Sequence, residues 1–158
     1  MRPAWRGLVA VVLAAAAASC APSGRPVGAD PPPQPAGAAP AAALEGASWS
    51  VTGYAGADGA WRAPLAAHAL TLAFDGTGVR GSAGCNSFRG GYTTDGSRLA
   101  VTPLATTRKL CREPGVMEQE RDFVDAVRAA TRWAVEDGRL VLRRDDTRRL
   151  VEAVRSAR

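Results

Sequence analysis

Apolar and polar residues alternate along three short stretches in the middle of the chain. A period of two places the apolar side chains on one side of an extended backbone, which is typical of a strand with one buried face. Asp-Gly dipeptides readily reach the positive φ of tight hairpins, so we expect antiparallel, local strand order. The strands contain Trp49 and Val51, then Leu70, Leu72 and Phe74, then Leu99 and Val101, and the turns are Asp75-Gly76, Asp95-Gly96 and Asp137-Gly138.

A different spacing follows Pro114-Gly115, where one set of residues recurs every three or four positions. This spacing predicts an amphipathic helix, and strand spacing returns after it from Trp133 to Val151. We therefore predict an α+β domain: a small, strongly curved antiparallel β-sheet, a barrel-like meander, with one amphipathic helix packed across it. The helix stripe consists of Val116, Met117, Glu120, Phe123, Val124, Val127 and Ala130.

The first 19 residues have the pattern of a signal peptide. Arg2 and Arg6 precede an apolar run that is too short to cross a membrane as a helix, which needs roughly 20 residues. Residues 17–20, Ala-Ala-Ser-Cys, resemble a lipobox, although Ala17 stands where leucine is usual. We predict that Cys20 is lipidated and anchors an exported protein on the extracytoplasmic side of a membrane. The alternative is ordinary cleavage near Ser19, which would leave Cys20 as a free thiol.

The composition changes near residue 44. Residues 20–43 comprise the predicted lipidated cysteine and a Pro/Ala/Gly-rich tether, which at about 3.1 Å per residue would reach roughly 70 Å. Residues 44–154 are the predicted folded domain, and residues 155–158 form a tail.

The net charge excludes little beyond nucleic-acid binding. The formal charge is +5, and the basic residues are mixed with acids and lack aromatic neighbours. We therefore expect no nucleic-acid partner. The remaining expected partners are the membrane, through the lipid, and an unidentified envelope protein or apolar ligand, bound by a monomer.

Motifs for catalysis or cofactor binding are weak. Gly76 to Gly81 has the spacing of a dinucleotide-binding loop, but no helical run follows, so a turn and another strand are predicted. His68 is the single histidine, which leaves no pair for zinc and no clear base for a nucleophile. Glu118 and Asp122 lie one helical turn apart on a polar face, and Trp61 is a candidate ligand contact in a loop. We expect no cofactor, no metal and no catalytic residue.

Cys85 and Cys111 remain if Cys20 carries the lipid. In an oxidising compartment a disulfide between them is the expected state, and two free structural thiols are the alternative. A closed loop with a separation of 26 positions would contribute about 3.5 kcal/mol in the chain-entropy treatment.

Short motifs surround these two cysteines. Their residues are Gly84, Asn86, Phe88, Gly90, Tyr92, Pro103, Thr106, Thr107, Arg108, Met117 and Glu118. With these motifs the chain resembles the META domain family, also called heat-shock-protein-HslJ-like, over about Leu44 to Val151, although Lys109-Leu110 departs from the Met-Ala that the family commonly has. The resemblance implies a strongly curved antiparallel sheet crossed by a helix, no enzyme activity, and a role in the cell envelope, in stress or antibiotic tolerance, or in secretion.

Three functional hypotheses remain at this point. The first is a binding or scaffolding lipoprotein that holds an apolar ligand or an envelope-protein segment on the curved sheet under the helix. The second is an envelope-acting hydrolase or transferase that uses carboxylates, and the third is a purely structural domain. Two carboxylates about 5 to 9.5 Å apart in one cleft would favour the second, and a closed apolar cleft the first.

Overall fold

The structure is a computed structural model that describes residues 43–157. The predicted signal peptide, the lipobox, Cys20 and the tether up to residue 42 lie outside the described residues. Within the described range no helix is long and apolar enough to span a membrane. The elements are β1 Ala47–Ala55, β2 Trp61–Arg62, β3 Thr71–Phe74, β4 Val79–Ser82, β5 Ser87–Gly90, β6 Tyr92–Asp95, β7 Arg98–Val101, β8 Ala105–Thr106, α1 Val116–Arg128, β9 Arg132–Glu136, β10 Arg139–Arg143 and β11 Arg149–Arg155.

The strands form one antiparallel sheet that curls into a half-barrel, and α1 packs across β1 and β11. The order is β6-β7-β9-β10-β11-β1-β3-β4-β5-β8, with β2 beside β1. The predicted α+β fold class, with its curved sheet and single helix, is confirmed for the described residues. The strictly local strand order is wrong, because the last strand β11 pairs with the first strand β1, with Ser50 opposite Val154.

A bend at Gly91 joins β6, at one end of the strand order, to β5, which is next to the strand at the other end. β5 ends at Gly90 and pairs with β4 and β8, whereas β6 begins at Tyr92 and pairs with β7. Thr102 holds the bend, since its amide donates to the Gly91 carbonyl at 2.9 Å and its hydroxyl accepts from the Gly91 amide at 2.7 Å. Two consecutive strands thus lie near opposite ends of the strand order, which is possible because the sheet is strongly curved.

Each of the three predicted turn regions connects two antiparallel strands, and Gly76, Gly96 and Gly138 have positive φ. Only Asp137-Gly138 is itself the two-residue turn, because Asp75-Gly76 belongs to the longer connection 75–78 and Asp95 pairs with Arg98. Asp137 has a φ of 49°, so both residues of the β9–β10 turn adopt the left-handed region that two-residue hairpins favour.

The core lies between the concave sheet face and α1. Phe123 is fully buried on the helix and meets the rings of Tyr54 and Phe88 edge-on, with centroids 6.1 Å and 5.9 Å away. Trp49 and Trp133 are also buried at their strand positions. The predicted stripe holds for its apolar members, and the helix additionally buries two polar side chains, Gln119 and Asp122.

Candidate functional site

The convex face of the sheet, opposite the core, carries a trough of about 760 Å³. It runs across β1, β3, β4, β5 and β8, whose register brings Ser48 beside Ala73, Ala73 beside Arg80, and Arg80 beside Arg89. We call it the outer trough, and its residues include Ser48, Ala73, Arg80, Ser87, Arg89 and Ala105.

The strand period of two explains what lines the outer trough. Leu72 and Phe88 are buried in the core, so their neighbours Thr71, Ser87 and Arg89 point to the opposite face. The other lining residues are mostly small or hydroxylated, apart from Leu72, Phe88 and the second arginine, Arg80, and none of the lining residues is acidic. The outer trough thus combines apolar surface with hydroxyl groups and two positive charges.

Gly81 shapes the floor of the outer trough. A Cβ placed on Gly81 would lie 1.9 Å from the carbonyl oxygen of Thr71 and 2.8 Å from the Phe88 ring. Only a residue without a side chain allows β4 to approach β3 this closely.

Two arginines face each other across β4 and β5. Arg80 forms an ion pair with Asp75. The hydroxyl and amide of Thr77, the Gly78 amide and the Arg80 charge together hold the pKa of Asp75 below its usual range. No carboxylate within residues 43–157 forms an ion pair with Arg89, which is exposed.

Residues 107–111, which follow β8, form one wall of the outer trough, and Asn86 holds this wall in place. Its side-chain oxygen accepts hydrogen bonds from the Thr107 hydroxyl at 2.6 Å and the Lys109 amide at 2.7 Å. Its side-chain nitrogen donates to the Lys109 carbonyl and to both carboxylate oxygens of Glu120, each at 3.0 Å. Asn86 is 2 % exposed, so a fully bonded buried amide joins three segments.

A second polar contact ties the helix to the loop between β2 and β3. The Gln119 side chain accepts from the Leu65 amide at 2.7 Å and donates to the His68 carbonyl at 2.9 Å. Gly84 has a φ of 100°, and a Cβ there would lie 2.6 Å from the Gln119 side-chain nitrogen. Glycine is therefore required at this position for both its backbone angle and its space.

The structure places a disulfide between Cys85 and Cys111, with a Cα–Cα distance of 6.0 Å. It lies directly beside the Asn86 contacts, because Cys85 precedes Asn86 and Cys111 follows Lys109 by two residues. The bridge and the amide together attach the segment before α1 to the start of β5.

The other motif residues are divided between core and surface. Phe88 is buried, and Gly90 lies against Leu104, where a Cβ would stand 2.7 Å from the Leu104 side chain. The Tyr92 hydroxyl donates a hydrogen bond to Glu45 at 3.0 Å. The pKa of Tyr92 is raised mainly by burial and, to a smaller extent, by this bond. Thr106 and Thr107 line the outer trough, Met117 is half-buried, and three residues are exposed: Pro103, Arg108 and Glu118.

The sheet face under the helix is filled by core side chains. Phe123 and Val127 of α1 are fully buried there, together with Leu142 and Val151 of the sheet. A ligand was expected on the sheet face under the helix, but the apolar side chains of that face pack against α1 and form the core. The candidate binding surface is instead the outer trough on the opposite face.

A smaller cavity of about 150 Å³ lies between α1 and two loops and is lined by Asp122, Asp125, Arg144 and Arg148. Asp122 is 4 % exposed, and no donor among residues 43–157 forms a hydrogen bond with its Oδ1. Ligand sites usually need about 300 Å³ or more, so this cavity is too small for a saccharide or peptide substrate. Within the same range no three His, Cys, Asp or Glu side chains cluster as metal ligands would.

Trp61, the candidate loop contact, lies on β2 and lines neither cavity. Its ring covers Gly53, and the Arg149 guanidinium stands 5.1 Å from the ring centroid. The ring is 46 % exposed and serves as a cover for β1.

Sequence reasoning missed several of these residues. Arg80 and Arg89 carry no local signal of proximity, since only the β4–β5 register makes them neighbours. Asp122 was expected on a polar face with Glu118, and this is wrong, because Asp122 is buried on the helix while Glu118 is exposed. Gln119 is a second buried polar residue that the helical spacing could have indicated. Glu120 was placed in that stripe, and the structure explains its position through its bonds with Asn86.

The comparisons with known proteins agree with this architecture. A model of the META domain family matches residues 42–157. An NMR structure of a protein from Burkholderia xenovorans is similar with a TM-score of 0.62 and 29% identity, covering 82% of this chain and 96% of that one. A second NMR structure has a TM-score of 0.55 and 18% identity, covers 73% of this chain and 95% of the other, and supports the fold alone. No curated protein matches the chain.

Proposed function

The chain belongs to the META domain family, and from that premise we propose that it is a non-catalytic binding domain of the cell envelope. It is exported, held at the membrane through lipidated Cys20, and uses the outer trough to hold an extended segment of an envelope protein.

The observation that carries this proposal is the open trough on the convex sheet face. Five strands spaced about 4.8 Å apart span roughly 19 Å, and an extended chain advances about 3.3 Å per residue. The trough therefore matches about six residues of an extended segment. Ser48 and Ala105 mark its two ends, and both are exposed.

The wall of the trough is held in place before any ligand binds. The Cys85–Cys111 disulfide and the hydrogen bonds of Asn86 to Thr107 and Lys109 attach residues 107–111 to the start of β5. The bonds of Asn86 to Glu120 attach the same region to α1. A rigid wall lowers the entropy lost on binding, which favours a recognition surface.

The lining of the trough supports binding in preference to catalysis. Hydroxyl groups such as those of Ser87 and Thr106 lie there, but the lining contains no histidine, cysteine, lysine or carboxylate that could act as their base. An arginine side chain stays protonated and does not serve as a general base.

Site-specific photo-crosslinking in the native envelope tests the proposal. The full chain carries a photoreactive residue at Ser87 in the trough or, as the matched control, at Thr93, which is exposed on β6 outside it. We expect one discrete adduct from position 87, none from position 93, and loss of the adduct when Ala105→Trp fills the trough. Equal crosslinking from both positions, or an adduct that survives Ala105→Trp in a folded chain, would overturn the proposal.

A further inference from the structure

The pair Arg80 and Arg89 is unbalanced in charge. Residues that face each other across antiparallel strands have Cβ atoms about 4.5 to 5.5 Å apart, and like charges in that position are destabilising. Asp75 compensates Arg80 through its ion pair. Arg89 has no such partner among residues 43–157.

The surroundings of Arg89 add positive charge. The lining of the outer trough has two arginines and no acid. The wall that Asn86 holds continues into Arg108, Lys109 and Arg112, all with exposed or partly exposed side chains, and none of the three forms an ion pair within the described range. A trough lined by one sign of charge attracts ligands of the opposite sign.

We infer that the outer trough selects an acidic segment, with a carboxylate side chain of the partner bound by the Arg89 guanidinium. This inference rests on the proposed function and names its ligand class. The planar guanidinium can donate two parallel hydrogen bonds to one carboxylate, which a lysine ammonium cannot reproduce.

The rest of the trough fits a peptide backbone on either side of that carboxylate. The exposed hydroxyls of Ser48, Ser87 and Thr106 can donate to carbonyl groups or accept from amides. Ala73 and Ala105 leave room for the chain. The two arginines of the lining favour an acidic peptide over a lipid acyl chain, because an acyl chain carries no charge that could pair with them.

Fluorescence anisotropy with defined probes tests the inference. The full chain is titrated with a labelled six-residue peptide of alternating Glu and Ser, and with the same peptide carrying Gln for Glu. We expect the Glu peptide to bind at least tenfold more tightly, and its affinity to fall as sodium chloride rises from about 0.05 to about 0.5 M. Equal affinity for the two peptides would overturn the inference.

Charge-matched variants locate the site. Arg89→Gln and Arg98→Gln remove one positive charge each, but Arg98 is exposed on β7 outside the trough. We expect Arg89→Gln to weaken binding of the Glu peptide at least tenfold, Arg98→Gln less than twofold, and Arg89→Lys to recover only part of the loss. Similar losses for Arg89→Gln and Arg98→Gln would show a diffuse charge effect and overturn the inference.

Two further arms separate the ligand source and the underlying function. Inorganic phosphate and phosphatidylglycerol vesicles are tested as alternative anions. If either of them binds through Arg89 and the Glu peptide does not, the ligand is not an acidic peptide and the inference is overturned. In the crosslinking experiment, an adduct lost with Ala105→Trp but unchanged with Arg89→Gln would refute the acidic anchor and leave the proposed function standing. An adduct that survives both variants would refute the proposed function itself.

Discussion

The Asn86 side-chain nitrogen lies 3.0 Å from each carboxylate oxygen of Glu120, and this contact joins the start of β5 to the second turn of α1. The backbone N–H of Asn86 donates a third hydrogen bond to the same carboxylate, at 2.9 Å. The half-buried Glu120 charge is therefore satisfied by one residue, whose side-chain oxygen in turn holds Thr107 and Lys109.

Asn86→Ala is expected to lower the free energy of unfolding by about 2 to 4 kcal/mol, because it leaves the Lys109 amide without its acceptor and the Glu120 carboxylate with only the backbone N–H of residue 86. The melting temperature should fall on the order of 10 °C in a calorimetric scan. Glu118→Ala is the control, since Glu118 is exposed on the same helix and should change stability by less than about 0.5 kcal/mol. Equal effects of the two variants would contradict a special role for Asn86.

The disulfide predicts the absence of reactive thiols at two positions. Quantitative thiol labelling of unfolded, unreduced chain from the envelope should label neither Cys85 nor Cys111. Replacing both by alanine should lower the free energy of unfolding by up to about 3.5 kcal/mol, because the unfolded chain regains the entropy of a loop of 26 positions. Full labelling of both positions in native protein would refute the bridge.

Gly81→Ala should disrupt the β3–β4 pair, because its Cβ would stand 1.9 Å from a backbone oxygen that cannot move without shifting β3. We expect a loss of more than about 3 kcal/mol, or failure to fold, in urea titration. Gly59→Ala is the control: it has positive φ but nothing within 4 Å, so its cost should stay near 1 kcal/mol. A Gly81→Ala protein as stable as Gly59→Ala would contradict the close approach.

Asp122→Leu is expected to raise the free energy of unfolding by about 1 kcal/mol or more. The carboxylate is buried, one of its oxygens has no hydrogen-bond donor among residues 43–157, and its neighbour Arg121 is 3.9 Å away and largely exposed. A buried carboxylate with neither a close ion partner nor a full set of donors carries a desolvation cost that its interactions do not offset, and an apolar side chain of similar size removes that cost.

Asp125→Leu is the matched control on the same helix, since Asp125 is exposed and its ion pair with Arg128 is worth at most about 1 kcal/mol. Chemical denaturation of both variants distinguishes them. A marked destabilisation by Asp122→Leu alone would mean that the buried carboxylate has a stabilising partner.

Cys20→Ser tests the predicted anchor, which lies outside the described residues. Without the thiol that receives the lipid, the chain should either leave the membrane fraction or accumulate as uncleaved precursor, as read by fractionation and mass spectrometry. Ser23→Ala should fractionate like the native chain. A normally cleaved Cys20→Ser protein that stays with membranes would refute lipidation at this residue.

The sequence alone predicted the elements with strong local periodicity. The helix from Val116 and the strands around Trp49, Leu72 and Leu140 follow from the spacing of apolar residues, because one buried face imposes a period of two or about 3.6. The Asp137-Gly138 turn was equally clear, since its backbone angles depend on only two residues. The short strands β2 and β8 carry too few residues to show a period, and their positions follow from pairing with β1 and β5.

The candidate site was decided by tertiary structure. Asn86 and Glu120 are 34 positions apart, and Arg80 and Arg89 become neighbours only through the β4–β5 register. Hydrophobic patterning states which face of a strand is buried, but it does not state which strand lies beside it, because antiparallel pairing depends on long-range contacts of the whole chain. The sequence therefore determined that a curved sheet and a helix enclose a core, whereas the packing of that core left the opposite face open as the outer trough.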